Sequence, residues 1–423
     1  MKIRVDDFFI NLILVIGVGI PLIFWGVLDT WRTILTILII LVSVIYIFKH
    51  GIRKTESSSF LYIYIFVVVG ILLFEIFKNR GQYNYSGYEI FYALRQYLWI
   101  FFAIPLYYEI IRHNNVELYF CKIFKIVLVS LGLRTFTWFC KKYFGITIFY
   151  NLLYEYGNTW ERTGKQRVDA TALIGILIPI LYYMFKKYKK KKYVIFMAFT
   201  FFYLVFVSQT RSLLLGALAC IGVMFFFEKR SSTTKFILQI SIIVCLAIAI
   251  NFGLIDFIMQ KMNLSVNDGA IGYRQYEYAY YSSLLIGGKW RTGIGILTGI
   301  NETGQKIIFG NLDTPMYLDD LGIFECFLQF GLLSIFLYGA LIVYILRVIL
   351  KCNRANQSGY AFYLIGQLFY IIIVSLPLNL FGIQRCLAVP VILAIACAID
   401  QCVTNEIRGS GYGFKENNKG DTK

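Results

Sequence analysis

The chain of 423 residues is 58% hydrophobic and 18% aromatic, with only 15% charged residues and a formal net charge of +17; an average soluble domain is roughly 25% charged. This composition excludes a soluble globular enzyme, a disordered chain and a small disulfide scaffold. It predicts an all-α polytopic membrane protein, because a spanning helix takes about 20 mostly apolar residues and the length holds about a dozen.

The N-terminal MKIRVDDFF leads into an apolar run without a small-residue cleavage site, so it reads as a retained first span rather than a signal peptide. Twelve apolar runs follow in chain order, at about 8–28, 32–48, 60–77, 90–111, 116–139, 168–185, 194–209, 212–227, 236–257, 321–346, 359–377 and 387–403. The fifth carries Lys122 and Lys125, and the seventh and eighth are parted only by the turn around Gln209, Thr210 and Arg211. If each run spans once, the basic loops at 50–54, 186–192, 228–230 and 347–354 share one side. The positive-inside rule makes that side cytoplasmic, with both termini on it. The opposite side then holds two outer loops, at about 140–167 and 258–320. Two apolar-aromatic patches in the second predict short helices lying along the membrane surface. Residues 1–405 read as a single integral membrane domain. The polar, Gly/Asn-rich segment 406–423 reads as a disordered cytoplasmic tail.

Nine cysteines show no metal-binding or paired spacing and read as small hydrophobes. His50 and His113 both fall in cytoplasmic loops, which leaves no histidine for acid–base work on the outer side. No Walker motif, HExxH or Cys/His cluster is present. The reading therefore contains no cofactor and no metal.

Sorted by side, the cytoplasmic face carries 7 Arg and 17 Lys, and the outer face 10 Arg and 7 Lys. The Lys-rich face is what anionic headgroups select. The outer arginines are Arg32, Arg80, Arg95, Arg134, Arg162, Arg167, Arg211, Arg274, Arg291 and Arg385. Topology disfavours them, and guanidinium grips phosphate through a planar, permanently charged fork. An outer-face anion site is therefore expected, and nucleic acid is not needed to explain the charge.

Arg211, in SQTRSLLLGAL, is held close to the membrane with almost no loop around it, where a charge is costly. In GYRQYEYAYYSSLL a helix would put Arg274, Glu277 and Tyr278 on one face, with Tyr278 expected to touch substrate. In KWRTGIGILTG, Arg291 precedes Gly293 and Gly295, whose amides would cradle a phosphate. Asp319 and Asp320 open the tenth span, as bases or acceptor-positioning carboxylates facing the arginines. Glu325, about a turn and a half deeper, is a further buried carboxylate. Outer tyrosines and tryptophans, Tyr83, Tyr85, Tyr280, Tyr281 and Trp290 among them, read as an interfacial belt able to stack on sugars.

Four features together resemble the bacterial O-antigen/capsule polysaccharide polymerases, in the superfamily that includes O-antigen ligase. They are the T-R-S turn at Arg211, the ERTGKQRVDATALIG stretch with Arg162 and Arg167, the late outer loop with Arg274 and GIGILTG, and the span opening DDLGIFECFLQFGLL. Their order covers about 160–345, and the first five spans match only in hydropathy. The resemblance implies that arginines bind the pyrophosphates of two polyprenyl-linked glycans, here Arg211, Arg274 and Arg291 with Arg162 or Arg167 behind them. Ligases carry a late-loop histidine; the matching region here reads LDTPMYLDD. That departure favours polymerase over ligase and makes Asp320 or Asp319 the substitute base. The expected function is a metal-independent glycosyltransferase on the outer face of the bacterial cytoplasmic membrane. Its partners would be polyprenyl-pyrophosphate-linked oligosaccharides, membrane lipids and a chain-length regulator. The competing classes are a lipid-linked oligosaccharide flippase or other transporter, and a structural assembly subunit.

Overall fold

The structure, a computed structural model, describes residues 5–23, 28–51, 55–149, 154–155, 158–159, 161–162, 165–228, 269–310, 316 and 318–416. The apolar run at 236–257, residues 417–423 and the side chains of Arg162, Arg274 and Asp319 lie outside the described residues. Over their described residues, the other apolar runs are mostly helical. In chain order these are α1 (Val5–Gly17), α2 (Leu28–His50), α3 (Glu56–Tyr83), α4 (Gly87–Leu98), α5 (Ala103–His113), α6 (Val116–Phe144), α7 (Ile174–Tyr188), α8 (Lys191–Phe202) and α9 (Arg211–Phe226). The late outer segment forms α10 (Gly269–Ser283), α11 (Lys289–Thr292) and α12 (Glu302–Phe309). Then come α13 (Ile323–Phe330), α14 (Ser334–Arg354), α15 (Ser358–Ser375) and α16 (Ala388–Glu416). Two short antiparallel hairpins, Tyr154–Glu155 with Asn158–Thr159 and Glu161–Arg162 with Lys165–Gln166, occupy the earlier outer loop.

Among the described residues, seven helices are long and apolar enough to cross a membrane, as befits a multi-pass membrane protein. The others have physical reasons for falling short. α6 carries Lys122, Lys125 and Arg134 along its length. α7 begins at Ile174, several residues inside its apolar run, and is 15 residues long. α16 runs past residue 406 to Glu416, into the segment whose composition suggested disorder.

Burial separates two kinds of apolar helix. The most apolar stretch of α16 is 83% buried, against 33% for that of α2. α7 is likewise buried without a break from Ile174 to Met184. Helices hydrophobic all round are core helices or spans, and here α7 and α16 form the core. α2, α3 and α14 turn Phe48, Phe66, Phe77 and Val343 outward, where lipid tails satisfy them.

Small residues set the closest approaches. Tyr370 of α15 lies where a Cβ on Gly175 would be, Val374 fills that place at Gly216, and Met224 at Gly366. α7, α9 and α15 therefore pack with a side chain of one helix seated on the bare backbone of the next, a use of small residues common between membrane helices.

The charged ends also pair separately. At one end Lys187 meets Glu117, Arg347 meets Glu56, and Lys351 reaches Asp400 at 2.5 Å. At the other, Arg95 Nη1 donates to Thr33 at 3.2 Å, Lys78 to the Thr292 carbonyl, and Arg134 Nη1 to the Asp169 carbonyl at 2.9 Å.

Candidate functional site

The Arg-rich end is built around the junction of α8 and α9. α8 passes into a π-helical turn, Tyr203–Ser208, and Gln209 then takes a left-handed φ of 54° before α9 starts at Arg211. Single π turns and left-handed non-glycine residues cost energy and concentrate at functional sites. The segment after the hairpins is stitched to this junction. Val168 N donates to the Val207 carbonyl at 3.1 Å, and Gln209 Nε2 to the Gln166 carbonyl at 3.3 Å. The half-buried Arg167 and Arg211 are thereby brought to one junction, although 43 positions separate their neighbours Gln166 and Gln209 in the chain.

Beside this junction lies a pocket lined by Asp169, Thr171, Leu213, Gln367, Gln384 and Arg385, with Tyr370 and Val374 on its wall. Its polar groups are short of partners. Arg385 Nη1, Thr171 Oγ1 and both amide atoms of Gln367 are buried without a hydrogen bond. Buried polar groups are normally satisfied, so a pocket edged with a guanidinium and with spare hydroxyl and amide groups suits an anionic or hydroxyl-bearing ligand group. Arg134 and Tyr203 hold the Asp169 backbone at the rim, both donating to its carbonyl, at 2.9 and 2.6 Å.

Arg385 sits on the connector between α15 and α16, and a buried network fixes that connector. Asn379 Nδ2 donates to Glu325 Oε2 at 2.7 Å, and Tyr338 OH to Asn379 Oδ1 at 2.9 Å. Gln329 Nε2 donates to Glu325 Oε1 at 3.1 Å, and Tyr97 OH to Gln329 Oε1 at 2.7 Å. Glu325, read from the sequence as a possible functional carboxylate, is the hub of this network. Glu325→Ala strands the Asn379 and Gln329 amide donors, so it should destabilise the protein by about 1–3 kcal/mol. Thermal unfolding in detergent checks this; an unchanged midpoint would remove the network from the account.

The acid turn adjoins the same connector. Asp319 and Asp320 lie in a 3-10 turn, Leu318–Leu321, and the next residue, Gly322 (φ 61°), packs directly on the Leu376 carbonyl. Asp320 is half-buried. Tyr278 of α10 donates to the Leu321 carbonyl at 3.0 Å, which puts the helix bearing Arg274 and the buried Glu277 against this turn.

Three expectations need correction. First, Gly293 and Gly295 form no open amide cradle. Gly293 N donates to the Lys289 carbonyl at 2.6 Å, Ile294 N to Leu328 at 2.8 Å and Gly295 N to Gln329 at 3.1 Å. The glycines are needed for close approach: a Cβ on Gly293 would strike the Gln329 backbone, and one on Gly295 the Asn79 side chain. Second, several outer tyrosines are struts rather than a belt. Tyr83 donates to the Ile294 carbonyl, Tyr280 to Ile307 at 2.9 Å and Tyr281 to Met316 at 3.2 Å. The Tyr85 hydroxyl accepts from Thr298 N at 3.3 Å, and burial raises its pKa, keeping it neutral. With Leu297, Leu321 and Leu328 these rings form a second apolar core under the loop. Tyr278, expected to touch substrate, packs tilted against Phe324 with ring centroids 5.2 Å apart. Third, the outer arginines are not one set. Arg95 is 2% exposed and lies over the Tyr92 ring at 3.8 Å. Arg134 is bonded to Ser130, Val18 and Asp169. Both hold the fold. Arg291 is exposed, over Trp290 at 5.2 Å.

Sequence reasoning counted Arg385 among the outer arginines but gave it no role, and Thr171 and Gln367 were missed. The only signal was a Gln-Arg pair between two apolar runs, LFGIQRC. At the Lys-rich end, Asp7, Glu109 and His113 converge, a grouping no linear spacing announces.

No protein-family model matches this chain, and no curated protein matches it.

Proposed function

We propose that this membrane protein is a polysaccharide polymerase, transferring a growing glycan from polyprenyl pyrophosphate to the hydroxyl of a lipid-linked repeat unit. The observation that carries the reading is the pocket in which Arg385 Nη1 is buried without a partner, next to the junction holding Arg167 and Arg211. A pyrophosphate leaving group needs such fixed cationic donors, because they stabilise charge as it develops and need no reorganisation. Thr171 and Gln367 would hold sugar or phosphate oxygens. Asp320, on the turn against the same connector, would orient the acceptor.

In the step itself the bond between the anomeric carbon and the pyrophosphate oxygen breaks. A bond from that carbon to the acceptor oxygen forms, the acceptor proton passes to the Asp320 carboxylate, and polyprenyl pyrophosphate departs. By the sequence resemblance Arg274 is assigned to the acceptor's pyrophosphate, and Arg291 and Arg162 to the lipid-linked substrates. The energy is that of the donor linkage.

The test is purified protein in liposomes with lipid-linked repeat unit. Expected is stepwise lengthening of the lipid-linked glycan. Translocation of the lipid at unchanged glycan length would replace this reading with a transporter, and transfer to a non-polyprenyl acceptor would replace it with a ligase-type transferase. In the same assay Asp320→Asn should lower turnover about 10²–10⁴-fold, the usual contribution of a general base, while leaving binding of the lipid-linked substrate intact. Wild-type turnover in that variant would take the base role from Asp320.

A further inference from the structure

The Lys-rich end contains a cluster that the proposed transfer does not use. Asp7 lies in the first turn of α1, and Glu109 and His113 are four apart on α5, hence on one face. His113 Nε2 stands 3.6 Å from Asp7 Oδ2 and 3.6 Å from Glu109 Oε2. One ligand atom from each residue lies within 4.8 Å of the other two. Glu109 is 1% exposed, and its Oε2 has no hydrogen-bond partner; His113 Nε2 is also buried without one.

We propose that Asp7, Glu109 and His113 bind one first-row divalent cation, zinc by geometry, which clamps the first helix to the fifth. At 3.6 Å the His113 nitrogen is too far to make a hydrogen bond to either carboxylate oxygen, and two carboxylates converging on one point repel unless a positive species lies between them. A shared proton would draw a charge-assisted pair to about 2.7–2.9 Å. Zinc held at about 2.0–2.1 Å from each ligand keeps tetrahedral neighbours about 3.4 Å apart, close to the two 3.6 Å separations at His113. One imidazole with two carboxylates suits zinc, manganese or iron, whereas calcium and magnesium take all-oxygen sets.

Two cations stand beside the cluster, but both engage the other oxygens. Lys122 Nζ is 2.9 Å from Asp7 Oδ1, and Arg112 Nη1 is 3.0 Å from Glu109 Oε1. Tyr119 OH donates to Asp7 Oδ1 at 3.3 Å, and Tyr46 OH to Glu109 Oε1 at 2.9 Å. These four groups leave Oδ2 and Oε2 directed at His113. They are the outer shell that orients metal-binding carboxylates. Three protein ligands leave a fourth position for water. Of the three, the sequence singles out only His113, as a loop histidine.

The full chain, purified through a tag without histidines, is stripped with a chelator and reloaded with zinc alone. Expected is about one zinc per chain by elemental analysis and a higher unfolding midpoint in loaded than in stripped wild type. His113→Asn should lower zinc affinity at least about tenfold, and Tyr46→Phe about 10–100-fold as an outer-shell loss. The proposal is overturned if wild type retains no more zinc than His113→Asn, or if loading leaves the wild-type midpoint unchanged. It is equally overturned if acidification alone raises the midpoint with zinc having no effect, since His113 would then be a protonated bridge. The stripped-against-loaded comparison on wild type decides even if a variant fails to fold.

Discussion

Arg385→Ala should abolish glycan lengthening, by at least about 100-fold, with the protein still inserted at its wild-type level. Removing one preorganised donor at a site of developing charge costs about 10²–10³ in rate. Here the lost donor is a full charge whose Nη1 has no other partner. Folding should be little affected. The side-chain bond Arg385 makes, Nη2 to Gln384 Oε1 at 3.4 Å, is long, and the connector is held instead by Asn379 and by the backbone bond from Arg385 N to the Gly382 carbonyl. Arg385→Lys keeps the charge and loses the fork, so it should restore only part of the rate. Arg95→Ala is the contrasting case: it removes a buried strut and should lower the unfolding midpoint. Unchanged lengthening by Arg385→Ala would show that the pocket is not the donor site.

Gly293→Val should undock the late outer loop. Gly293 has φ 74° and ψ −179°, a region essentially restricted to glycine, where another residue costs about 1–3 kcal/mol. The new side chain would also overlap the Gln329 backbone, and overpacking of this kind adds about 1–3 kcal/mol. The segment it would displace is anchored by Lys78, Asn79 and Tyr83 of α3, all bonded to carbonyls between Thr292 and Ile296. Expected are a lower unfolding midpoint and faster protease cleavage within 285–310. Gly299→Ala is the control, because open space surrounds that position. A stable but inactive Gly293→Val would mean that the glycine meets ligand rather than the Gln329 backbone.

The two glycine positions show where sequence reasoning stops. GIGILTG calls for glycine under either account. Whether the amides face a phosphate or the Gln329 backbone depends on the free carbonyls at the C-terminal end of α13, more than 30 positions away. The tyrosines of the late loop behave alike: amphipathic rings are legible, but the carbonyls they bind belong to other segments. Among the arginines, charge type and an expected side follow from order along the chain. Arg134 and Arg385 look equivalent in that list, and differ only because carbonyls surround one and a pocket adjoins the other.

Hydropathy alone therefore determined a helical chain with several spans long and apolar enough to cross a membrane. It did so because a bilayer imposes one length and one polarity on every span. Which apolar helices form the core, with α7 and α16 inside and α2 outside, was decided by packing, since lipid and protein interior select the same side chains. The pocket at Arg385 and the cluster of Asp7, Glu109 and His113 were decided in the same way. Each joins residues from distant helices, and only the packed bundle sets the distances and burial that make them sites.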